Sequence, residues 1–402
     1  MNPLGTGCFK PKFPAEIFDL IVDHLYDDRN TLLACSLCRE LQPASRFHLF
    51  SDLSIKPFPE DLLTLIDILC SPNNTMAIYV QRLVFSDLTK FVLYHGVSDM
   101  SRALRFIPRL ISFIPQVKTL HLLNTDFEHL PQDIIHSLLS HFTTFTDVRL
   151  QFLHFYRFSE FVELACSFPV LERIEIKRLT WTHNGRNALS LRRMPSVGVQ
   201  WDILELKRGG NLRDLAEWLA VHDNPPQLRS LCYDAASATE VSYLRQLVQR
   251  TASSLRNLQV SFPIFVDSAR VSETLHEFIN LNDCTSLRSL HYKHVLIYPG
   301  DAVTSLISPW LSASLSQVRS DLLETIDFEL MVPTYGDETC LQELDWEGIS
   351  KVLLEKQFKY LKMIRFNVCM CPGTSFDSSR AAKFIMDQLS PFKPFLALKV
   401  AS

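Results

Sequence analysis

The chain has 402 residues, 47% of them hydrophobic and 21% charged, the balance of a globular protein with room for two or three domains and a large core. A formal charge of −4 argues against general attraction to nucleic acid or to an anionic membrane. The 11 glycines form neither GxGxxG nor GxxxxGKS/T, which argues against a phosphate-cradling loop.

Residues 1–12 read as a tail, and residues 13–53 as three short helices. Pro14 suits a first helical position, and Glu16 places a carboxylate in the first turn, where the helix dipole favours it. Ile17, Leu20, Ile21 and Leu25 recur at helical spacing and form one apolar stripe, with Phe18 and Val22 outside it. The run Asp27–Asn30 ends this helix, and Asn30 or Thr31 is placed to cap the next. Leu33, Leu37 and Leu41 form the second stripe, and Pro43 stops that helix and starts the third. About forty residues rarely bury enough surface to fold alone. One apolar face can close a small core, and the other needs a cover, either the rest of the chain or a partner.

These residues resemble an F-box, the adaptor-binding module of SCF-type ubiquitin ligases. Phe13, Pro14, Glu16, Ile17, Leu20, Ile21 and Leu25 match its first helix. Leu32, Cys35, Ser36, Leu37, Cys38 and Arg39, then Ser45-Arg46-Phe47-His48-Leu49-Phe50, match the remainder as fungal-type members carry it. One residue is missing between Leu37 and Cys38, and Leu41 stands where a Trp is usual. A deletion inside a helix rotates the residues beyond it by about 100°, so the chain must compensate near Pro43 or lose third-helix contacts. The resemblance implies that Phe13, Pro14, Ile17, Leu20, Ile21, Leu25, Leu33, Leu37 and Cys38 include the contacts to a Skp-type adaptor. Through that adaptor come a cullin and its RING partner.

From residue 54 to 402 one unit recurs: a short strand, a loop, an amphipathic helix. The strand cores are Leu83-x-Phe85, Leu120-x-Leu122, Val148-x-Leu150, Ile174-x-Ile176, Leu204-x-Leu206, Leu231-x-Tyr233, Leu258-x-Val260, Leu290-x-Tyr292, Ile326-x-Phe328 and Ile364-x-Phe366. They lie roughly 26–38 residues apart, a solenoid period. Helices are expected at 60–69, 101–113, 132–141, 159–167, 212–221, 239–251, 273–280 and 347–357, with 381–389 and the apolar tail 392–400 capping the end. The alternation resembles an irregular leucine-rich-repeat array. The fold class is therefore α+β: a three-helix F-box followed by an α/β repeat solenoid, parallel strands on the concave face and helices on the convex one. A doubly wound domain would place a glycine-rich loop after one strand, and none is present.

In such strands the apolar pair points inward and its neighbours point to the concave face. Arg149, Arg173, Lys177, Lys207, Asp234, Gln259, His291, Asp327 and Arg365 fall there as candidate substrate contacts, with Glu175, Glu205, Cys232, Lys293, Glu329 and Asn367. Residues 173–213 are basic-leaning, which suits a phosphate, and 320–350 carry no Lys or Arg. The face reads as either a bipolar docking surface or ordinary solvated charge. Trp181, Trp201 and Tyr335, in the long loops 179–200 and 331–344, either anchor a partner or pack the loops down.

No GxSxG, HExxH or paired-carboxylate motif appears. Cys35 and Cys38 lack the further ligands a zinc site needs, and His136 and His141 do not share a helix face with each other. No catalytic residue, metal or cofactor is expected, nor any nucleic-acid or membrane partner. With no secretory segment, apolar span or lipidation motif, free thiols and a cytoplasmic or nuclear location are expected. Three functions stay open: a substrate receptor of a cullin-based ligase, an F-box scaffold outside ubiquitination, and a pocket-bearing repeat protein or enzyme whose F-box only caps the array.

Overall fold

The structure is a computed structural model that describes residues 14–25, 27–55, 59–71, 74–131, 144–183, 200–206, 212–220, 227–234, 238–261, 279–297, 302–332, 338–370 and 377–401. The helices expected at 132–141 and over most of 273–280, with Phe13, Lys207 and Tyr335, lie outside these residues. The chain forms two compact units, Met1–Arg149 and Leu150–Ser402.

In the first unit, α1 (Ala15–Asp23), α2 (Arg29–Cys35) and α3 (Gln42–Phe50) lead into β1 (Asp52–Ile55). The cap of α2 is Asp28, whose Oδ1 accepts from Asn30 N–H at 3.1 Å and Thr31 N–H at 3.2 Å, so neither Asn30 nor Thr31 is the cap. Pro43 sits in the first turn of α3, but α2 stops well before it, at Cys35. Leu37 and Cys38, between which a residue was expected to be missing, lie in the turn between α2 and α3 and within neither helix. The chain continues through α4 (Pro59–Cys70), β2 (Arg82–Ser86), α5 (Leu88–His95), α6 (Val97–Leu104), α7 (Ile107–Phe113) and β3 (Thr119–Asp126). Residues 101–113, expected as one helix, are parts of two. Pro108, in the first turn of α7, has no N–H to donate to Leu104, as a continuous helix would need. Strands β1, β2 and β3 are parallel and in register, Leu53 beside Leu83 and Leu83 beside Leu120.

Strand β4 (Asp147–Arg157) spans the boundary, its first three residues belonging to the first unit. The second unit continues with α8 (Phe158–Cys166), β5 (Arg173–Lys177), β6 (Thr180–His183), β7 (Gln200–Leu206), α9 (Leu212–Ala220), β8 (Gln227–Asp234), α10 (Ala238–Thr251), β9 (Asn257–Ser261) and β10 (Ser289–Leu296). It ends with α11 (Ala302–Ser316), β11 (Thr325–Val332), α12 (Trp346–Leu353), β12 (Met363–Met370), α13 (Ser378–Gln388) and β13 (Leu396–Ala401). Strands pair in sequence order, β6 lying off the path against β4. Successive helices pack on one another: α9 on α10, α11 on α12, α12 on α13. Most described steps of this unit carry one parallel strand followed by one helix, in chain order, a leucine-rich-repeat-like architecture.

The core is the ladder of apolar pairs. All ten expected pairs are buried, and they meet their neighbours in register: Leu231 beside Leu258, Leu258 beside Leu290, Leu290 beside Ile326, Ile326 beside Ile364. Tyr292, Phe328 and Phe366 stack along this ladder, with centroids 5.6 Å and 4.8 Å apart. The ladder slips once. A bulge at Asp202 sets Ile174 against Trp201 and Ile176 against Leu204, so Trp201 takes a core place. The tail does more than cap the end. It forms β13, which adds a strand in register with β12, Ile364 beside Leu396.

Several repeats share a backbone device. Asp87, Asn124, Phe152, Arg178 and His294 have φ between 50° and 58°, and each stands two residues after the second core residue of its strand. A left-handed residue there turns the chain so that the residue after it, such as Leu88, Leu153, Leu179 or Val295, is again buried. At His294 the turn coincides with a register shift between β10 and β11. Asn and Asp tolerate this conformation, whereas in Phe and Arg it is strained. Arg178 lies over the Phe152 ring, 4.7 Å from its centroid.

Candidate functional site

Two surfaces stand out, and each is built within one unit. The first is on the N-terminal helices. Their small core is Val22, Leu32 and Leu49, with Leu25, Leu41, Ala44 and Phe50 packed against it. The inward face of α1 is thus Phe18–Val22–Leu25, and the stripe Ile17–Leu20–Ile21 faces solvent, with Leu20 55% exposed and Val22 fully buried. The sequence left these residues unsorted between the small core and the outer face; Ile17, Leu20 and Ile21 lie outside and Leu25 packs against the core. On α2 the inward residue is Leu32, while Leu33 is exposed and Leu37, beyond the helix end, is 89% exposed. Of the expected stripe Leu33, Leu37 and Leu41, only Leu41 joins the core. Pro14 and Cys38 are exposed, and the Cys38 thiol donates to Glu40 Oε2 at 3.2 Å. Leu25, read as a possible adaptor contact, is half-buried against the core. His48 Nε2 bonds Asp23 Oδ1 at 2.7 Å, tying α3 to α1.

Six large apolar side chains exposed on a segment this short, Ile17, Leu20, Ile21, Leu33, Leu37 and Phe47, are more than scattered surface hydrophobics. Leu20 lies three residues beyond Ile17 and Ile21 four, so these three share one face of α1.

The second surface is the open face of the second unit's sheet. One row crosses it in register: Lys177, Glu205, Cys232, Gln259, His291, Asp327, Arg365 and Ala397, on β5 and β7 to β13. Five of the expected substrate contacts, Lys177, Gln259, His291, Asp327 and Arg365, are thereby brought together. Arg173 lies on β5 outside this row, beside Gln200. Asp234 pairs with Ser261 through its backbone. Arg149 is half-buried in β4, on the first unit.

The charges on this face are paired. Arg173 and Arg229 meet Asp202 at 2.9 Å and 3.3 Å, and Arg178 meets Glu205 at 3.2 Å. Lys177 meets Glu175, and off this face, on α9, Arg213 meets Glu217 at 2.7 Å. Glu324 is held by Lys362 at 3.2 Å and Arg288 at 3.9 Å, and Asp327 by Arg365 at 3.2 Å. The basic and acidic stretches of the sequence are therefore cross-linked locally, which shrinks the field either could present to a phosphate or to a basic peptide.

One part of the face departs from this pairing. Asp327 Oδ1, His291 Nε2 and Asn367 Oδ1 are buried without a hydrogen-bond partner, on adjacent strands β10, β11 and β12. Burial, with the nearby charges of Lys293, Arg365 and His294, pushes the His291 imidazole down to about 4, so it is neutral at physiological pH. Burial raises the Asp327 carboxyl above its ordinary value, and Arg365 opposes that rise.

Of the loop aromatics, the two described ones are packing residues. Trp181 and Trp201 are buried, in a cluster with Phe158, Phe161 and Trp218, and the Trp181 indole N–H donates to Asp214 Oδ2 at 3.1 Å. His136 and His141 lie outside the described residues, and His154 bonds the hydroxyls of Thr180 and Thr182 at 2.8 Å and 3.0 Å. Among the described residues no helix is long and apolar enough to cross a membrane.

No protein-family model matches the chain. No curated protein matches it. Among solved structures it is similar to the leucine-rich repeat-containing protein LegL7 from Legionella pneumophila, at 14% identity and a TM-score of 0.38, covering 85% of this chain and 97% of that one. It is also similar to a protein from Bacteroides fragilis, at 12% identity and a TM-score of 0.31, covering 94% of this chain and 83% of that one.

Proposed function

We propose that this chain is the substrate-recognition subunit of an SCF-type ubiquitin ligase. Its N-terminal helices bind a Skp-type adaptor, and through it a cullin and a RING subunit. Its open sheet face binds a protein substrate. The observation that carries this reading is the division of labour in the first fifty residues. The small core is made by Val22, Leu32 and Leu49, while apolar residues shared with the F-box pattern, Ile17, Leu20, Ile21, Leu33 and Leu37, stand exposed. Exposed apolar residues on a helix face cost solubility and are retained where a partner covers them.

In this reading the chain does no bond chemistry. It holds a substrate lysine near the charged conjugating enzyme, and the rate gain is that of proximity. It works inside the cell without metal or cofactor.

The test is co-expression with a Skp-type adaptor, a cullin and a RING subunit, followed by capture of the chain. The native chain should bring down all three. Leu20→Asp and Leu37→Asp should bring down none while keeping native circular dichroism, because both side chains already face solvent. Adaptor without cullin would move the reading to an F-box scaffold outside ubiquitination. A folded native chain that captures no adaptor sinks both.

A further inference from the structure

The most distinctive place on the open sheet face is where polar atoms are buried without partners. Burying a polar atom unpaired costs about 1–3 kcal/mol, and buried polar groups in native proteins are overwhelmingly bonded. Three such atoms on three consecutive strands call for a common explanation.

Register places them together. His291 and Asp327 are direct partners across β10 and β11. Asp327 faces Arg365 across β11 and β12, and Asn367 is the next outward residue of β12, diagonal to Asp327 and within reach of a shared ligand. Asp327 is only 9% exposed, and its other oxygen, Oδ2, is held by Arg365 at 3.2 Å. The carboxylate is therefore fixed in direction, with Oδ1 left to bond something else.

The bonding capacity of the three atoms defines what that something is. Asp327 Oδ1, on an ionised carboxylate, and Asn367 Oδ1 are acceptors. His291 is neutral at physiological pH and can carry its proton on Nε2, which makes it a donor. In that tautomer the set is two acceptors and one donor. A phosphate or carboxylate offers only acceptors and would face Asp327. A lysine or arginine offers only donors, could not use the His291 proton, and would enter beside Lys293 and Arg365. A primary carboxamide offers two N–H donors and one carbonyl acceptor on one rigid plane.

We propose that His291, Asp327 and Asn367 form a subsite that receives the carboxamide side chain of an asparagine or glutamine in an extended protein segment laid along the open sheet face. The amide NH2 donates to Asp327 Oδ1 and Asn367 Oδ1, and its carbonyl accepts from His291 Nε2. Arg365 is a positioning residue that aims the Asp327 carboxylate. The identification of the ligand as part of a protein rests on the substrate-receptor reading; the hydrogen-bond complement of the site does not.

The test uses the full chain, fluorescently labelled, on arrays of capped nonapeptides with one fixed central residue and equimolar mixtures at the flanking positions. Peptides with central Asn or Gln should bind about ten-fold better than those with Asp, Glu, Leu or Lys, the penalty for leaving this many buried groups unpaired. Asn367→Leu and His291→Leu should abolish that preference without lowering the melting temperature, since each removes an unsatisfied atom. If either variant unfolds, Asn367→Val and His291→Phe serve in its place. Equal binding at all central residues, a preference for Lys or Arg, or a preference that survives these substitutions overturns the proposal and leaves water as the occupant. Adaptor capture is measured on the same samples. Its loss with the amide preference intact sinks the ligase reading and leaves the subsite standing; the reverse sinks only the subsite.

Discussion

His291 shows how a single residue ties fold to site. It sits in a sheet row that alternation alone assigns to the outer face, yet strand packing buries it enough to keep it neutral. Its folded value near 4 lies below the ordinary value of 6.5. The unfolded chain therefore takes up a proton over this interval that the folded chain refuses. The stability this group contributes is fully present above about pH 6.5 and is lost as pH falls toward 4. Asp327 works in the opposite sense, because a carboxyl raised by burial gains from protonation in the folded state. The clean comparison is the urea midpoint of native chain and His291→Gln at pH 7 and pH 5. The native midpoint should fall further over that range than the variant's; parallel lines would show that His291 titrates normally.

At the scale of the element, the repeats were legible where chemistry is uniform and illegible where it is not. Every expected apolar pair, from Leu83-x-Phe85 to Ile364-x-Phe366, is buried, because period-two apolar spacing has one physical solution in a stacked parallel sheet. The slip at Asp202 left no mark in the sequence, since Ile203, Leu204 and Leu206 fit either register. The left-handed corners were invisible for a related reason. Asp87, Asn124, Phe152, Arg178 and His294 share a conformation and no side-chain chemistry, so no residue pattern announces them. On α1 the helical period was legible but not which apolar residues turn inward: Val22 meets Leu32 and Leu49, whereas Ile17, Leu20 and Ile21 stay outside, a choice set by where α2 and α3 lie. The caps belong to this scale too. Asp345 begins α12, its Oδ1 accepting from Gly348 N–H at 2.9 Å and its Oδ2 from Ser312 Oγ at 2.8 Å. A side chain at Gly348 would displace this cap, because an added Cβ would lie 2.0 Å from that carboxylate. Asp345→Ala should lower unfolding free energy by about 1–2 kcal/mol in urea titration; no change would mean that the cap is replaced by water at no cost.

For the whole molecule, the deciding feature is an unequal partition of apolar residues. The repeats bury their strand cores in a ladder that continues to β13 and leave single apolar side chains such as Leu93 and Leu354 outside, whereas the short N-terminal segment keeps Ile17, Leu20 and Ile21 together on one exposed helix face. The candidate contacts of the sheet face could be named from the sequence, but not their pairing. The basic stretch looked suited to phosphate until Arg173, Arg178 and Arg213 were found beside Asp202, Glu205 and Glu217. The unpartnered atoms of His291, Asp327 and Asn367 likewise depend on which residues the register sets side by side.

The most direct measurement of the central claim is calorimetric titration of purified Skp-type adaptor into the native chain, Leu20→Asp and Val22→Ala. The native chain should bind with a negative heat-capacity change, the mark of apolar burial. Leu20→Asp should lose at least about 2 kcal/mol of binding at unchanged stability. Val22→Ala should lose about 2 kcal/mol or more of stability through the cavity it leaves, and retain binding while folded. A native chain that is folded and gives no heat with the adaptor, or a Leu20→Asp variant that binds as tightly as the native chain, would contradict the claim.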